Sequence, residues 1–197
     1  MAGLNDPFKL IFSNSGNSSS GQTILALYTD AVLAKGVDPT TAVENADSFK
    51  KSVKTYSVIS DIMQARTRMK MVGHKTVSMT SAVSGQIKRN APLICISNDI
   101  FKIVRFKIGY KEALDRLFAY AEQSIKTGLH LPIIHVSYAG RIRELHAMKG
   151  FQSLQATAKK HGVTVVSGMM SVSACINYSI GSVSLGIAPK DQESDPQ

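Results

Sequence analysis

Residues 131–167 read LPIIHVSYAGRIRELHAMKGFQSLQATAKKHGVTVVS and contain two apolar segments on either side of a helix-forming one. The β-branched runs at residues 131–138 and 163–167 predict strands, and the segment from 141 to 160 predicts helices. Strands separated by helices indicate a βαβ-rich sheet with helices packed against it. The predicted fold class is therefore α/β with a mixed sheet.

Apolar periodicity predicts further elements on both sides of this stretch. Strands are predicted at residues 8–12, 55–60, 92–97, 100–107 and 182–188. Helices are predicted at residues 22–35, from Asp38-Pro39 onward, and at 62–70, 77–87 and 110–126. Residues 169–180 fit either type. The last strand, 182–188, is expected inside the sheet.

Short polar sequences mark where the predicted elements begin and turn. Asp38 followed by Pro39 is typical of a helix cap and first turn, and Asp61 is placed to cap the next helix. Asn98-Asp99 separates two strand segments and predicts a tight hairpin. These signals set the boundaries of the predicted elements.

Charge and length give a coarse view of the whole chain of 197 residues, whose formal net charge is +9. We predict one domain over residues 1–190 and an acidic, disordered tail over 191–197.

The segment from residue 50 to residue 111 is strongly basic, with thirteen Lys or Arg residues against two acids. Such a stretch can attract nucleic acid, anionic lipid or an acidic partner, or it can be a solvated face. Nucleic-acid binding is disfavoured because there is no zinc finger, RNP aromatic pair or GXXG clamp.

Neither a membrane span nor a secretory signal is predicted. No apolar run approaches the roughly 18 residues that cross a bilayer, and the first residues lack the basic-then-apolar pattern of a signal peptide. Cys95 and Cys175 lie among apolar residues without metal-ligand spacing, which is typical of buried, free thiols. The protein is expected to be cytoplasmic.

No pattern typical of an enzyme stands out, since GxSxG elbows, Cys–His pairs and paired carboxylates are all missing. The histidines share neither an i,i+4 step nor an HxH pair, so no metal and no cofactor are predicted. His135 ends a strand, where α/β proteins place sites, although a histidine with a structural role is the alternative. The polar loop at residues 13–22 fits either an anion-binding helix start or an ordinary capped one.

Three segments match the sequence pattern of one known protein family, which is named at the end of this paragraph. In SNSGNSSSGQTILALYTDAVLAKG, residues 13–36, the pair Asn14-Ser15 stands where the family has Asp-Ser, and Ser19 matches its later serine before a long helix. NYSIGSVSLGI, residues 177–187, aligns with the family's HTGPGALGVGF without a gap. Between them, PIIHVSYAG matches a strand that ends in histidine. Together these segments resemble the C-terminal part of the DegV family of fatty-acid-binding proteins.

The resemblance, which covers residues 8–188, implies a function. DegV-like proteins are soluble carriers that hold one long-chain fatty acid between two α/β lobes, and some present its carboxylate to a separate kinase. It thus implies a lipid-binding protein that is not itself an enzyme. Its implied partners are a long-chain fatty acid and either a fatty-acid kinase subunit or a chain supplying the other lobe. The ligand-binding residues implied by the resemblance are Ser15, Ser19, Lys75, Arg105, His135, Asn177, Ser179 and Gly181.

Several positions depart from the family pattern. Lys75 falls on or near the arginine of the family's GGRI motif, Ile108 replaces another arginine, and Asn177 replaces the HTGPG histidine. The family's carboxylate-binding lobe has no counterpart in this sequence. The resemblance therefore implies a diverged binder that supports little acyl-phosphate formation. The alternative is a degenerate structural or interaction module that binds a partner protein without ligand.

Overall fold

The computed structural model describes residues 10–64, 67, 91–105, 109–191 and 195–196. The helices described in full are α1 (Ser19–Leu33), α2 (Pro39–Phe49), α3 (Tyr110–Thr127), α4 (Ile142–Ala147), α5 (Lys149–Lys160) and α6 (Val172–Tyr178), with a 3₁₀ turn at Lys50–Ser52. The strands are β1 (Lys54–Val58), β2 (Leu93–Ser97), β3 (Ile100–Arg105), β4 (Ile133–Tyr138), β5 (Thr164–Met169) and β6 (Val183–Ile187).

The six strands form one mixed sheet in the order β3-β2-β1-β6-β4-β5. β4 and β5 are parallel, as expected for strands joined through helices, and the other neighbouring pairs are antiparallel. β6 lies between β1 and β4, so the prediction that the last strand is inside the sheet is confirmed. The predicted α/β class is confirmed as well.

One face of the sheet, which we call the apolar face, carries the main core. Tyr56, Leu93 and Leu185 are fully buried. They share this face because alternate residues of a strand point to the same side of the sheet. This face packs against α3 and α5, which contribute Leu117 and Phe151. Burying one such side chain contributes about 1.5–3 kcal/mol, so the helices and the sheet depend on each other.

The opposite face, which we call the polar face, is covered by α1. Ser57, Ser137 and Ser184 are buried on this side of the sheet. Farther along α1, Ile24 is buried in a small apolar cluster with Val53. The helix therefore covers hydroxyl groups at its first turn and apolar side chains beyond it.

The capping and turn signals of the sequence are confirmed. The Asp38 carboxylate accepts hydrogen bonds from two N–H groups in the first turn of α2, at 3.0 and 3.1 Å. Asp61 accepts two in the same way, at 2.9 and 3.1 Å. Asn98 and Asp99 have φ angles of 50° and 63°. Two consecutive positive φ values are typical of the tight hairpin turn that the dipeptide predicts.

Two boundary predictions need correction. Residues 10–12 are not a strand, since they lie outside the sheet and Leu10 and Phe12 are 61% and 84% exposed. An apolar run forms a strand only where a neighbouring backbone can pair with it. Helix α1 begins at Ser19 and not at Gln22, because tight contacts with the sheet hold the preceding small residues in its first turn. The predicted helix at 77–87 lies outside the described residues.

The segment that the sequence left open, residues 169–180, contains both a strand end and a helix. β5 continues to Met169, and α6 begins at Val172. Ser171 caps this helix by accepting a hydrogen bond from the N–H of Ala174 at 3.2 Å. The segment therefore turns away from the sheet within three residues.

The sequence also made predictions about free thiols, metal binding and membrane spans. Cys95 and Cys175 are free, but only Cys95 is buried, so the expectation of a buried thiol is wrong for Cys175. In the described ranges, no group of three or more His, Cys, Asp or Glu side chains could hold a metal ion. No helix in those ranges is long and apolar enough to cross a membrane.

Candidate ligand-binding site

Three serines form a row across the centre of the polar face. Ser57 on β1 is directly opposite Ser184 on β6, and Ser184 is directly opposite Ser137 on β4. Paired residues of neighbouring antiparallel strands lie on the same face with Cβ atoms about 4.5–5.5 Å apart, so the three side chains form one line. We call Ser57, Ser184 and Ser137 the serine row.

The first turn of α1 lies directly on the serine row. Ser20 Oγ donates a hydrogen bond to the Ser184 carbonyl oxygen at 2.9 Å and lies 2.9 Å from Ser137 Oγ. Ser19 Oγ is 3.1 Å from the same Ser137 oxygen. The contact requires glycine in the strand beneath, since a Cβ at Gly186 would lie 2.3 Å from the Ser20 carbonyl oxygen. A helix N-terminus and its hydroxyls are thus fixed against the sheet.

Tyr178 joins two polar loops, one at residues 13–22 and the other at residues 177–181 of the segment that aligns with the family pattern. Its phenol oxygen is 2.7 Å from Oγ of Ser18, the N-cap residue of α1. Burial raises the pKa of Tyr178, and the hydroxyls of Ser18 and Ser57 oppose that shift. The phenol is therefore protonated at neutral pH and lies beside the serine row as a hydrogen-bonding group.

A second group of hydroxyls lies where β1 ends. Ser60 Oγ is 2.9 Å from Ser179 Oγ and 3.3 Å from Ser182 Oγ. Ser179 Oγ also accepts the N–H of Asp61 at 3.0 Å. Ser179 has a φ of 76°, a left-handed conformation that is uncommon outside glycine. These contacts hold the strained turn beside Gly181 at one end of the polar face.

Three side-chain polar atoms on this face lack a hydrogen-bond partner among the described residues. They are Oγ of the fully buried Ser57 and Ser184, and Nδ1 of His135, two residues before Ser137 on β4. Burial lowers the pKa of His135, so its imidazole is neutral at physiological pH. A buried polar atom without a partner costs about 1–3 kcal/mol. Such atoms are typical of places that take up water or a polar ligand group.

An apolar cluster adjoins the serine row. Ile94 on β2 is directly opposite Ser57 and belongs to a buried cluster with Ile59, Met170 and Tyr178. Partly buried Phe101, from β3, packs against it. The polar face therefore carries hydroxyl groups and buried apolar side chains side by side, and these are the two kinds of contact that an amphiphilic ligand makes.

Four of the predicted ligand residues lie on or beside this arrangement. Ser19 and His135 are at the serine row, whereas Ser179 and Gly181 are in the hydroxyl group at the end of β1. Tyr178 connects the serine row with the hydroxyl group at the end of β1, because it directly precedes Ser179 and contacts Ser18.

The other predicted ligand residues are more distant. Ser15 lies toward the opposite end of β1, since the neighbouring Gly16 carbonyl accepts the N–H of Asp99 at 2.8 Å in the β2–β3 turn. Arg105 is exposed at the end of β3, two strands from β1. Asn177 is exposed on α6. Lys75 lies outside the described residues.

The sequence reasoning missed most of the hydroxyls that form the site, although their signal is present. Serine or histidine alternates with an apolar residue in HVSY of β4 and in SVSLG of β6, a period of two that predicts one polar face. The residues missed are Ser18, Ser20, Ser57, Ser60, Ser137, Tyr178, Ser182 and Ser184.

Comparison with known proteins places this geometry in context. No protein-family model matches the sequence. A DegV domain-containing protein of Xanthomonas axonopodis pv. citri is 25% identical over 187 residues, which are 95% of this chain and 60% of the relative. The chain thus spans less than two thirds of that relative, and the partial coverage fits a C-terminal part.

Solved structures show the same fold at low sequence identity. DegV, a fatty acid binding protein from Bacillus subtilis, superposes with a TM-score of 0.69 at 14% identity, covering 90% of this chain and 60% of that one. A stearic acid-binding protein from Eubacterium ventriosum gives a TM-score of 0.67 at 15% identity, with coverages of 89% and 58%. The resemblance predicted from the sequence is therefore confirmed: the chain is a relative of DegV domain-containing proteins and has the fold of DegV-family structures.

Proposed function

We propose that this protein binds a long-chain fatty acid on the polar face of its sheet, with the carboxylate at the serine row. The observation that carries the proposal is the line formed by Ser57, Ser184 and Ser137, on which the first turn of α1 lies. The support from relatives is that proteins of this fold are described as fatty-acid-binding, one of them with stearic acid.

The polar part of the ligand matches the hydroxyls. A carboxylate accepts hydrogen bonds and cannot donate them, so its natural partners are hydroxyl and N–H donors. Ser184 offers such a donor, because its hydroxyl has no partner among the described residues, and the N-terminus of α1 adds a favourable dipole for negative charge. The hydrogen-bonding side chains described at the serine row are hydroxyls, without a carboxylate among them.

The apolar part of the ligand matches the neighbouring cluster. The buried Ile94 and the partly buried Phe101 continue the apolar packing from the serine row toward the β3 edge. Burying one methylene group contributes about 0.8 kcal/mol. A chain of sixteen or more carbons would therefore bind even if only part of it were covered.

The test is native mass spectrometry of delipidated protein mixed with one equivalent of stearic acid. We expect a protein species whose added mass is that of one stearic acid. Octanoic acid serves as the matched control, because its carboxylate is the same and it has ten fewer carbons to bury. Absence of a stearate adduct, or equal uptake of both acids, contradicts the proposal.

A carrier role toward a fatty-acid kinase is the finer part of this proposal, and we infer that it is weak. Phosphoryl transfer needs cationic or hydrogen-bonding groups that neutralise charge on the transferring phosphate. Asn177 stands where the family pattern has histidine, and Lys75 stands on or near an arginine. The protein therefore acts mainly as a lipid binder without catalytic activity of its own.

One observation favours a second function, the binding of a partner protein. Val172 and Ile180, at the two ends of α6, are 78% and 81% exposed. Exposed apolar side chains beside a candidate site are typical of a surface that another chain covers. An interaction module without ligand becomes the better account if delipidated protein takes up no fatty acid.

A further inference from the structure

The C-terminal segment reaches the sheet through the carboxylate of Asp195. Tyr56 donates its phenol proton to Asp195 Oδ1 at 2.9 Å, and Lys102 Nζ lies 2.5 Å from Oδ2. Lys54 Nζ is 3.9 Å from Oδ1. Three donors from two strands therefore surround one carboxylate.

These three donors are built into the sheet. Lys54 and Tyr56 are two residues apart on β1, so both side chains point to the apolar face. Tyr56 is paired with Cys95 on β2, and Cys95 is paired with Lys102 on β3, so the Lys102 side chain is on the same face. Lys54 is only 8% exposed and Tyr56 is fully buried. Burying an ammonium group is costly unless an anion lies near it. The carboxylate of Asp195 is one anion that lies near the Lys54 ammonium group.

We propose that Lys54, Tyr56 and Lys102 form a carboxylate-binding site, which Asp195 of the same chain fills in this structure. The two oxygens of Asp195 have separate partners, a phenol on one side and an ammonium on the other. That pairing fits a planar group with two acceptor oxygens and a single negative charge.

The surroundings disfavour a ligand that carries several negative charges. A cavity of about 640 Å³ lies between α3 and the C-terminal segment, with Tyr120 and Asp195 in its wall. Glu112, Asp115 and Asp191 line the same cavity with one cation, Arg116, so it disfavours a ligand with several negative charges. A phosphate or a polyanion would meet these acids, whereas a monocarboxylate in the place of the Asp195 side chain would keep its charge beside Lys102.

This site is separate from the proposed fatty-acid site. Lys54 and Tyr56 point to the apolar face, and the serine row lies on the polar face. A ligand at one site therefore does not contact the other, and the two proposals can fail independently.

Chemical rescue tests the proposal, with acetate as the probe. Asp195→Ala removes the internal carboxylate, and Asp47→Ala is the matched control, since it breaks an exposed Asp–Lys pair elsewhere. We measure the Tm of both variants and of the parent protein in sodium acetate and in sodium chloride at equal ionic strength. For D195A, acetate at roughly ten times its Kd should raise the Tm by about 3–6 °C and the effect should saturate.

The parent protein and D47A should show no acetate-specific rise, and the double variant D195A/K102M should lose the rescue. If D195A does not fold in chloride, the readout is the fraction of protein that refolds in acetate, followed by circular dichroism. An acetate effect of equal size in D47A, or none in D195A by either readout, overturns the proposal and leaves Asp195 as an anchor of the chain only.

Discussion

The hydroxyl of Ser18 and the phenol of Tyr178 lie 2.7 Å apart although 160 positions separate them in the sequence. Ser18 is the N-cap of α1, yet its side chain makes no capping hydrogen bond and contacts Tyr178 instead. The contact joins the start of α1 to the end of α6 over the polar face. It therefore fixes the distance between the two polar loops that flank the serine row.

Removing the Tyr178 hydroxyl should loosen this connection. We expect Tyr178→Phe to lower the free energy of unfolding by about 0.5–1.5 kcal/mol, the usual loss for one hydrogen bond. Urea denaturation measures the change. Tyr28→Phe is the control, because the Tyr28 ring stacks on Phe49 and keeps that contact without the hydroxyl. An equal loss in both variants would show that the Ser18–Tyr178 contact has no special role.

The close approach of α1 to the sheet predicts a strong effect of one added methyl group. A Cβ at Gly186 would lie 2.3 Å from the Ser20 carbonyl oxygen, and backbone cannot move aside cheaply. Gly186→Ala should therefore destabilise the protein by about 1–3 kcal/mol or more. Gly168→Ala, also in a strand but with open space around its Cβ, is the control. A G186A protein as stable as G168A would refute the packing described here.

Much of the fold was predictable because its signals are local. The Asp38 cap, the Asn98-Asp99 hairpin and the last strand within the sheet all follow from side-chain chemistry or from period-two alternation. The start of α1 was not predictable in this way. Ser19 adopts a φ of 43° and enters the helix because the sheet lies against it, and that contact is made between distant parts of the chain.

The candidate site was less predictable than the fold. The resemblance to the family indicated Ser19, Ser179 and Gly181, which lie on or beside the polar face. The serine row depends on the strand register, which pairs Ser57 with Ser184 and Ser184 with Ser137. Register is set by tertiary packing, so a sequence read alone shows three separate serines and not one row.

The neutral His135 gives stability a defined pH dependence. Burial lowers its pKa below the ordinary value of 6.5, so the folded state binds a proton less readily than the unfolded state. The contribution to stability is therefore complete above pH 6.5 and is lost as the pH falls below it. The free energy of unfolding should decrease from pH 7.5 to 5.5 more steeply in the parent protein than in His135→Gln. The exposed His130→Gln serves as the control, and equal slopes in all three proteins would contradict this account.

Acyl-phosphate formation should be poor even with lipid bound. Loss of one donor to the transferring phosphate costs roughly 10²-fold in rate, and this sequence departs from the family pattern at Lys75, Ile108 and Asn177. The assay combines a fatty-acid kinase, ATP and lipid-loaded protein, with a full-length DegV-like carrier as the reference. Turnover equal to that of the reference would show that other cations of this chain replace the family's arginines.

The most direct test of the central claim is the affinity of delipidated protein for stearic acid, measured by titration for the parent protein, Ser184→Ala and Ser48→Ala. Ser184 is in the serine row and its hydroxyl has no partner among the described residues, whereas Ser48 is exposed on α2 and bonds only to the Glu44 carbonyl of its own helix among the contacts described. A hydrogen bond to a charged group contributes about 1.5–3 kcal/mol, so the Kd of S184A should rise by about ten-fold or more while that of S48A stays unchanged. A parent protein that does not bind stearic acid, or a folded S184A with the parent's Kd, would contradict the account.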